Sequence, residues 1–163
     1  MASTVITYTR GNTYIENTPG AKTTTATAHG LCGLITVGGH RIDAVERMDG
    51  YVTMAGGKDY PNSTMYWNAH YDSYVINPWL GKAVEATKRK NILFHPANYP
   101  SHLEGCIGPG LLENGMLTSS KEMLEFMWYL SGGKYNVKTG HVIMTLRVVG
   151  DMKSLAACTK WTA

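Results

Sequence analysis

Gly38-Gly39 interrupts two β-rich runs, Leu34 to Val37 and Arg41 to Glu46. A glycine pair adopts the positive φ angles of a tight two-residue turn at little steric cost, so the runs are expected to fold back as an antiparallel hairpin. A first strand is expected at Thr4 to Thr9, and another at Tyr51 to Met54, ended by Ala55-Gly56-Gly57. Thr64 to Ile76 carries Tyr66, Trp67, Tyr71 and Tyr74, and alternating aromatics suit a half-buried sheet with a turn at Asn68 to Asp72. A short helix is expected at Gly81 to Arg89, a strand at Asn91 to His95 and a late strand at His141 to Val149.

The clearest helix begins near Ser119-Ser120. Ser119 and Glu122 have the spacing of a capping box, in which each side chain satisfies a backbone N–H of the other residue. Met123, Leu124, Met127 and Leu130 recur at three- and four-residue intervals, giving one apolar face, and Gly132-Gly133 ends the helix. The fold class is therefore α+β. We expect a β-rich single domain over 1–163, a mixed or antiparallel sheet or partly open barrel, with one well-defined helix near 119–131. The core domain is expected over 30–150, preceded by an irregular Thr-rich arm at 9–30 that includes the TTTATA tract.

At 163 residues the chain suits one sizeable core, and 44% hydrophobic against 17% charged residues describes a globular protein rather poor in charge. The net charge is +3, but the one dense basic run is Lys88-Arg89-Lys90, so nucleic acid is not an expected partner. The N-terminus, MASTVITYTRGNTY, lacks the basic start and apolar stretch of a secretory signal. No run approaches the roughly 18 apolar residues of a membrane span. Three cysteines, Cys32, Cys106 and Cys158, cannot all pair within the chain. No CxxC or HxxxH spacing is present, so no metal and no cofactor is expected.

The chemistry concentrates in NILFHPANYPSHLEGCIGPG, Asn91 to Gly110. An apolar run ends on His95, a loop rich in Pro and Gly follows, and Cys106 stands between Gly105 and Ile107. A thiol needs a base or cation beside it to be a nucleophile near neutral pH, and histidine supplies one. Cys106 and His95 are the candidate nucleophile and base, with the backbone of Gly105 and Ile107 as candidate oxyanion donors. Glu104 and Asn98 are candidates to orient the histidine, the loop or the substrate. His102, Ser101, Glu46 and Ser120 are candidates to support the site from outside.

On these residues the chain resembles a phage and bacterial family catalogued as domain of unknown function 5675. The similarity runs through Ile92 to His95, Asn98 and Glu104-Gly105-Cys106-Ile107-Gly108, with Val45-Glu46 upstream and Ser120 downstream. It covers about residues 30 to 135. The same residues resemble, more loosely, the L,D-transpeptidase catalytic domain, a β-rich family whose cysteine attacks a peptidoglycan stem-peptide amide to form a thioester. Here Ser101-His102 stands further from the cysteine than in that family, with Leu103-Glu104 intervening. The resemblance implies Cys106 as nucleophile and His95 as base.

Three functions are open at this point. The first is a phage-like cysteine amidase or peptidase acting on peptidoglycan peptides by acyl transfer. The second is a non-catalytic virion component, in the tail, baseplate or decoration, that associates with other virion proteins or with copies of itself. The third is a binding or inhibitor module using the His95–Cys106 loop as a pocket. A phage-encoded chain without a signal peptide is expected in the host cytoplasm when made, and then in the virion, periplasm or cell wall.

Overall fold

A long central strand organises the molecule. In the computed structural model, which describes residues 4–19, 26–51, 53–79, 83–84, 89–90 and 92–162, β1 spans Val5–Asn17. β2 (Ala28–Val37) and β3 (His40–Arg47) follow as the expected hairpin, with Val37 paired to His40. Gly38 and Gly39 have φ of 54° and 80°, the left-handed pair that a two-residue turn between twisted strands requires. The aromatic-rich region forms β4 (Lys58–Asn68) and β5 (Ser73–Asn77), turning at the residues between them. After the central loop come β8 (Ile107–Glu113), β9 (Met116–Thr118), α1 (Ser120–Leu130), β10 (Val142–Val149) and β11 (Thr159–Lys160).

These strands form one sheet in the order β5-β4-β10-β1-β2-β3-β8-β9, with β11 added beside β1. β1 runs parallel to β10 along its first half and parallel to β11 further on, so the two ends of the chain meet in the middle of the sheet. The sheet curls as a half-barrel. The extended segment at Phe94 then joins β5 to β8: Phe94 exchanges backbone hydrogen bonds with Ile76 of β5, while His95 N–H donates to the carbonyl of Ile107, the first residue of β8, and Ile107 N–H donates to Leu93 O.

Two apolar clusters result. Inside the curl, Ile6, Tyr8, Ile42, Phe94, Ile107 and Leu146 pack against the Leu124, Met127 and Trp128 face of α1. On the outer face Ile15, Cys32, Val45, Leu93, Leu103, Cys106 and Leu117 form a second cluster, roofed by the loop that carries Ala97.

Several expectations are corrected. Residues 9–17 are not an irregular arm but continue β1, and β2 begins at Ala28; despite the Thr and Asn content, Arg10 and Ile15 both bury and hold this stretch in the sheet. A register shift between Arg10 and Tyr14 moves the buried positions from one face to the other. Residues 20–25 of the Thr-rich tract lie outside the described residues. No strand forms at Tyr51 to Met54 among the described residues there, because Asp49 and Gly50 turn the chain at φ of 56° and 78°. In the stretch expected as a helix at Gly81 to Arg89, Ala83–Val84 (β6) and Arg89–Lys90 (β7) pair as short antiparallel strands, and the intervening residues lie outside those described. The helix itself is where it was expected, but Ser119 is left-handed (φ 54°) and no side chain caps the N-terminus.

Candidate functional site

His95 and Cys106 reach one surface through strand parity. Phe94 lies opposite Ile107 in a parallel bridge, and both side chains enter the inner core. Successive side chains on a strand alternate faces, so Leu93, His95 and Cys106 share the outer one. Cys106 is therefore at the mouth of a strand rather than inside a long loop. Its sulfur accepts a hydrogen bond from Leu93 N–H at 3.4 Å, and its carbonyl accepts one from Arg47 N–H. Only 6% of Cys106 is exposed.

His95 is 4% exposed, and its Nδ1 lies 2.9 Å from Pro96 O. A carbonyl oxygen only accepts, so the contact holds the ring proton on Nδ1 and leaves the Nε2 lone pair as the basic atom. Burial is the main cause that holds the imidazole pKa below its ordinary value, with the Pro96 carbonyl opposing it and His102 and His70 adding to it. The ring is thus a neutral base in the tautomer that proton abstraction at Nε2 requires.

Tyr71 completes this face. Its ring stacks on His95 with centroids 4.4 Å apart at 16°, and it packs against the outer cluster that holds Cys106. The Tyr71 hydroxyl is pushed above its usual pKa chiefly by burial. The sequence groups Tyr71 only with the aromatics of a half-buried sheet, and not with the site. No local signal marks it, since its partner His95 lies far along the chain; the Asn68-to-Asp72 turn that delivers it is the nearest clue.

The loop between the two residues is braced from several sides. Asn98 Nδ2 donates to Leu117 O and Leu117 N–H donates to Asn98 O, so Asn98 ties the loop to β9. His102 ends the 3-10 turn Pro100–His102, and its Nδ1 accepts Asn98 N–H at 3.2 Å. Ser101 faces the other way: its hydroxyl and its N–H both bond the Asn17 side chain. Arg47, which sequence reading missed, donates to Leu103 O at 2.9 Å and so clamps the loop while its own backbone holds Cys106. Ser120 accepts from Ala97 N–H and donates to Pro109 O, joining the loop, β8 and α1. Gly105 turns the chain at φ 84° just before the cysteine, and Glu104 is exposed.

Two expected roles do not survive the geometry. Ile107 N–H is committed to Leu93 O at 3.0 Å, because Ile107 is the first residue of a strand, so it is not an oxyanion donor. Glu46 lies on the opposite face: it pairs with Ile107 in register and points inward, fully buried, where it accepts from Tyr8 at 2.7 Å and from Arg10 at 2.8 and 3.0 Å. Burial is the largest influence on Arg10 and acts downward, but the Glu46 contacts outweigh it and raise the pKa. This is an internal ion pair of the half-barrel.

Beside His95 opens a cavity of about 520 Å³, lined by Tyr71, His95, Asn98, His102 and the first turn of α1 from Ser119 to Glu122. Among the described residues no group of three or more His, Cys, Asp or Glu is arranged to hold a metal ion. No helix among them is long and apolar enough to cross a membrane. Comparison with protein-family models, with curated proteins and with solved structures finds no match to this chain.

Proposed function

We propose that the protein is a phage-type cysteine hydrolase that opens an amide bond in peptidoglycan peptides, with Cys106 as nucleophile and His95 as base. The observation that carries this reading is the state of His95. It is buried and neutral, with Nδ1–H fixed on Pro96 O and Nε2 left basic, on the same strand face as a thiol. In the reaction, His95 Nε2 takes the thiol proton as sulfur attacks the amide carbon. The tetrahedral adduct collapses by breaking the C–N bond, the amine leaves with the proton from His95, and a thioester remains. Water then attacks the thioester while His95 accepts its proton, giving the carboxylic acid and returning the thiol. Of the two backbone positions expected to hold the oxyanion, Gly105 keeps that role. The resemblance at the His95 and Cys106 motifs supports the peptidoglycan assignment.

Incubation with purified wall peptides tests this reading. New amine and carboxyl termini should appear with the parent protein and be absent with Cys106→Ala. Equal cleavage by the variant would sink it.

The burial of Cys106 among apolar neighbours favours a second reading, a virion structural component in which the thiol is a packing group. That reading requires an unreactive Cys106 and ready association with other virion proteins or with copies of this chain.

A further inference from the structure

We propose that Tyr71 is the gate of the site: its ring leaves His95 to admit substrate to Cys106 and returns to cover the pair. This deepens the hydrolase reading and rests on it for the roles of Cys106 and His95. In the closed arrangement neither group is open to a peptide, since Cys106 is 6% and His95 4% exposed. The cavity of about 520 Å³ reaches His95, but Cys106 is not among its lining residues. Tyr71 is common to both regions: it lines the cavity, stacks on the imidazole and packs against the apolar cluster that holds the sulfur. An amide carbon must come within about 3–3.5 Å of the sulfur to be attacked, so a cover has to move before the first bond forms.

Two elements cover this face, and they are held very differently. The loop over 96–105 is pinned to four other elements: Ala97 to Ser120, Asn98 twice to Leu117, Ser101 twice to Asn17 and Leu103 to Arg47. Tyr71 is carried on the turn between β4 and β5, whose hydrogen bonds close on the turn itself. His70 and Tyr71 N–H donate to Asn68 Oδ1, and Asp72 N–H donates to Ala69 O. Among the described residues, the turn's polar tie to another element is Lys121 Nζ to Asp72 Oδ2 at 3.4 Å, between side chains 51% and 77% exposed. An ion pair so open to water holds weakly. Ala69 and His70 are exposed, so the ring swings outward without displacing a core side chain. What keeps it closed is the stack and its apolar contacts, and a peptide entering the cavity can replace these with its own.

The gate is read from Cys106 alkylation by iodoacetamide and by N-ethylmaleimide over a range of reagent concentrations, in protein carrying Cys32→Ser and Cys158→Ser. When modification outpaces reclosing, the rate levels off at the opening rate, so both reagents should reach the same plateau, well above the rate of global unfolding. Tyr71→Ala should lose the plateau and react in proportion to reagent, whereas Tyr71→Phe, which keeps the ring, should retain it. Asn17→Ala, which releases the loop from β1, should leave the plateau where it was. A rate proportional to reagent in the parent, a plateau equal to the unfolding rate, or a plateau that Asn17→Ala raises and Tyr71→Ala does not would overturn the gate. Failure of both the parent and Tyr71→Ala to react would overturn it as well. Because alkylation needs no turnover, a gated thiol in a parent protein that cleaves nothing would retain the gate and remove the hydrolase. A cleaving parent with an ungated thiol would do the reverse.

Discussion

Tyr71 and His95 lie ring on ring, centroids 4.4 Å apart and planes 16° from parallel. The phenol shields one face of the imidazole from water, and burial is the main cause of the imidazole's lowered pKa. Tyr71 thus positions the base without supplying any proton of its own. Tyr71→Phe keeps the stack and should leave the His95 titration and the cleavage rate close to those of the parent. Tyr71→Ala should move the His95 pKa up toward the ordinary imidazole value, read by NMR, and slow cleavage in proportion. An unchanged titration in Tyr71→Ala would remove Tyr71 from the account.

Glu46 was a candidate for the site and lies on the other face of the sheet. Glu46→Gln should therefore affect stability rather than chemistry. Breaking a buried ion pair by removing one partner leaves the other charge uncompensated, so Arg10 would be stranded and stability should fall by about 3 kcal/mol. Denaturant unfolding measures the loss, and the activity of the folded fraction should match the parent. A specific loss of activity without loss of stability would return Glu46 to the site.

These two residues show where sequence is readable. The Gly38-Gly39 turn, the α1 stripe and the aromatic hairpin were legible because each is encoded by neighbours in the chain: a turn by its glycines, a helix by its period. The hairpin between β8 and β9 was equally legible and missed; Asn114-Gly115, with φ of 51° and 73°, is a strong turn dipeptide. The parallel pairing of β1 with β10, the closure through Phe94 and the Tyr71–His95 stack were not readable, because each joins distant segments with no local mark. For the candidate site, residue types and spacing named His95 and Cys106, but which face each residue takes depends on strand register, and that is why Glu46 and Ile107 were misplaced.

Gly108 holds the loop down on β8. A Cβ there would stand 3.1 Å from Ala97 Cβ and 3.2 Å from Leu117 Cδ1, both on elements that carry the site. Gly108→Val should overpack this contact, cost about 1–3 kcal/mol and lift the loop from its seat. Thermal unfolding together with faster proteolysis within residues 96–105 would report it. A variant as stable and as resistant as the parent would contradict the close packing.

Acid should weaken the fold through two groups with the same sign. His95 is held below its ordinary pKa, chiefly by burial, so the unfolded chain binds its proton more readily, and stability falls as pH drops below about 6.5 until the folded imidazole also protonates. At Asp49, burial acts upward but is outweighed by hydrogen bonds from His29 and Arg47, so its pKa is lowered; the stability it contributes is present above the unfolded value and lost as pH falls through the folded one. Denaturant midpoints should decline from pH 7 to pH 5 in the parent and decline less in His95→Phe. Identical slopes in the two proteins would contradict the assignment to His95.

Cys106 must be distinguished from Cys32, whose thiol burial pushes up to about 11, and from the partly exposed Cys158. The most direct measurement is the rate of Cys106 alkylation against pH in protein carrying Cys32→Ser and Cys158→Ser, with and without His95→Ala. The account predicts an apparent thiol pKa well below the reference of about 8.5, abolished when His95 is removed. A thiol that titrates near the reference value in both proteins, or reacts in neither, would contradict it and leave Cys106 as a packing group.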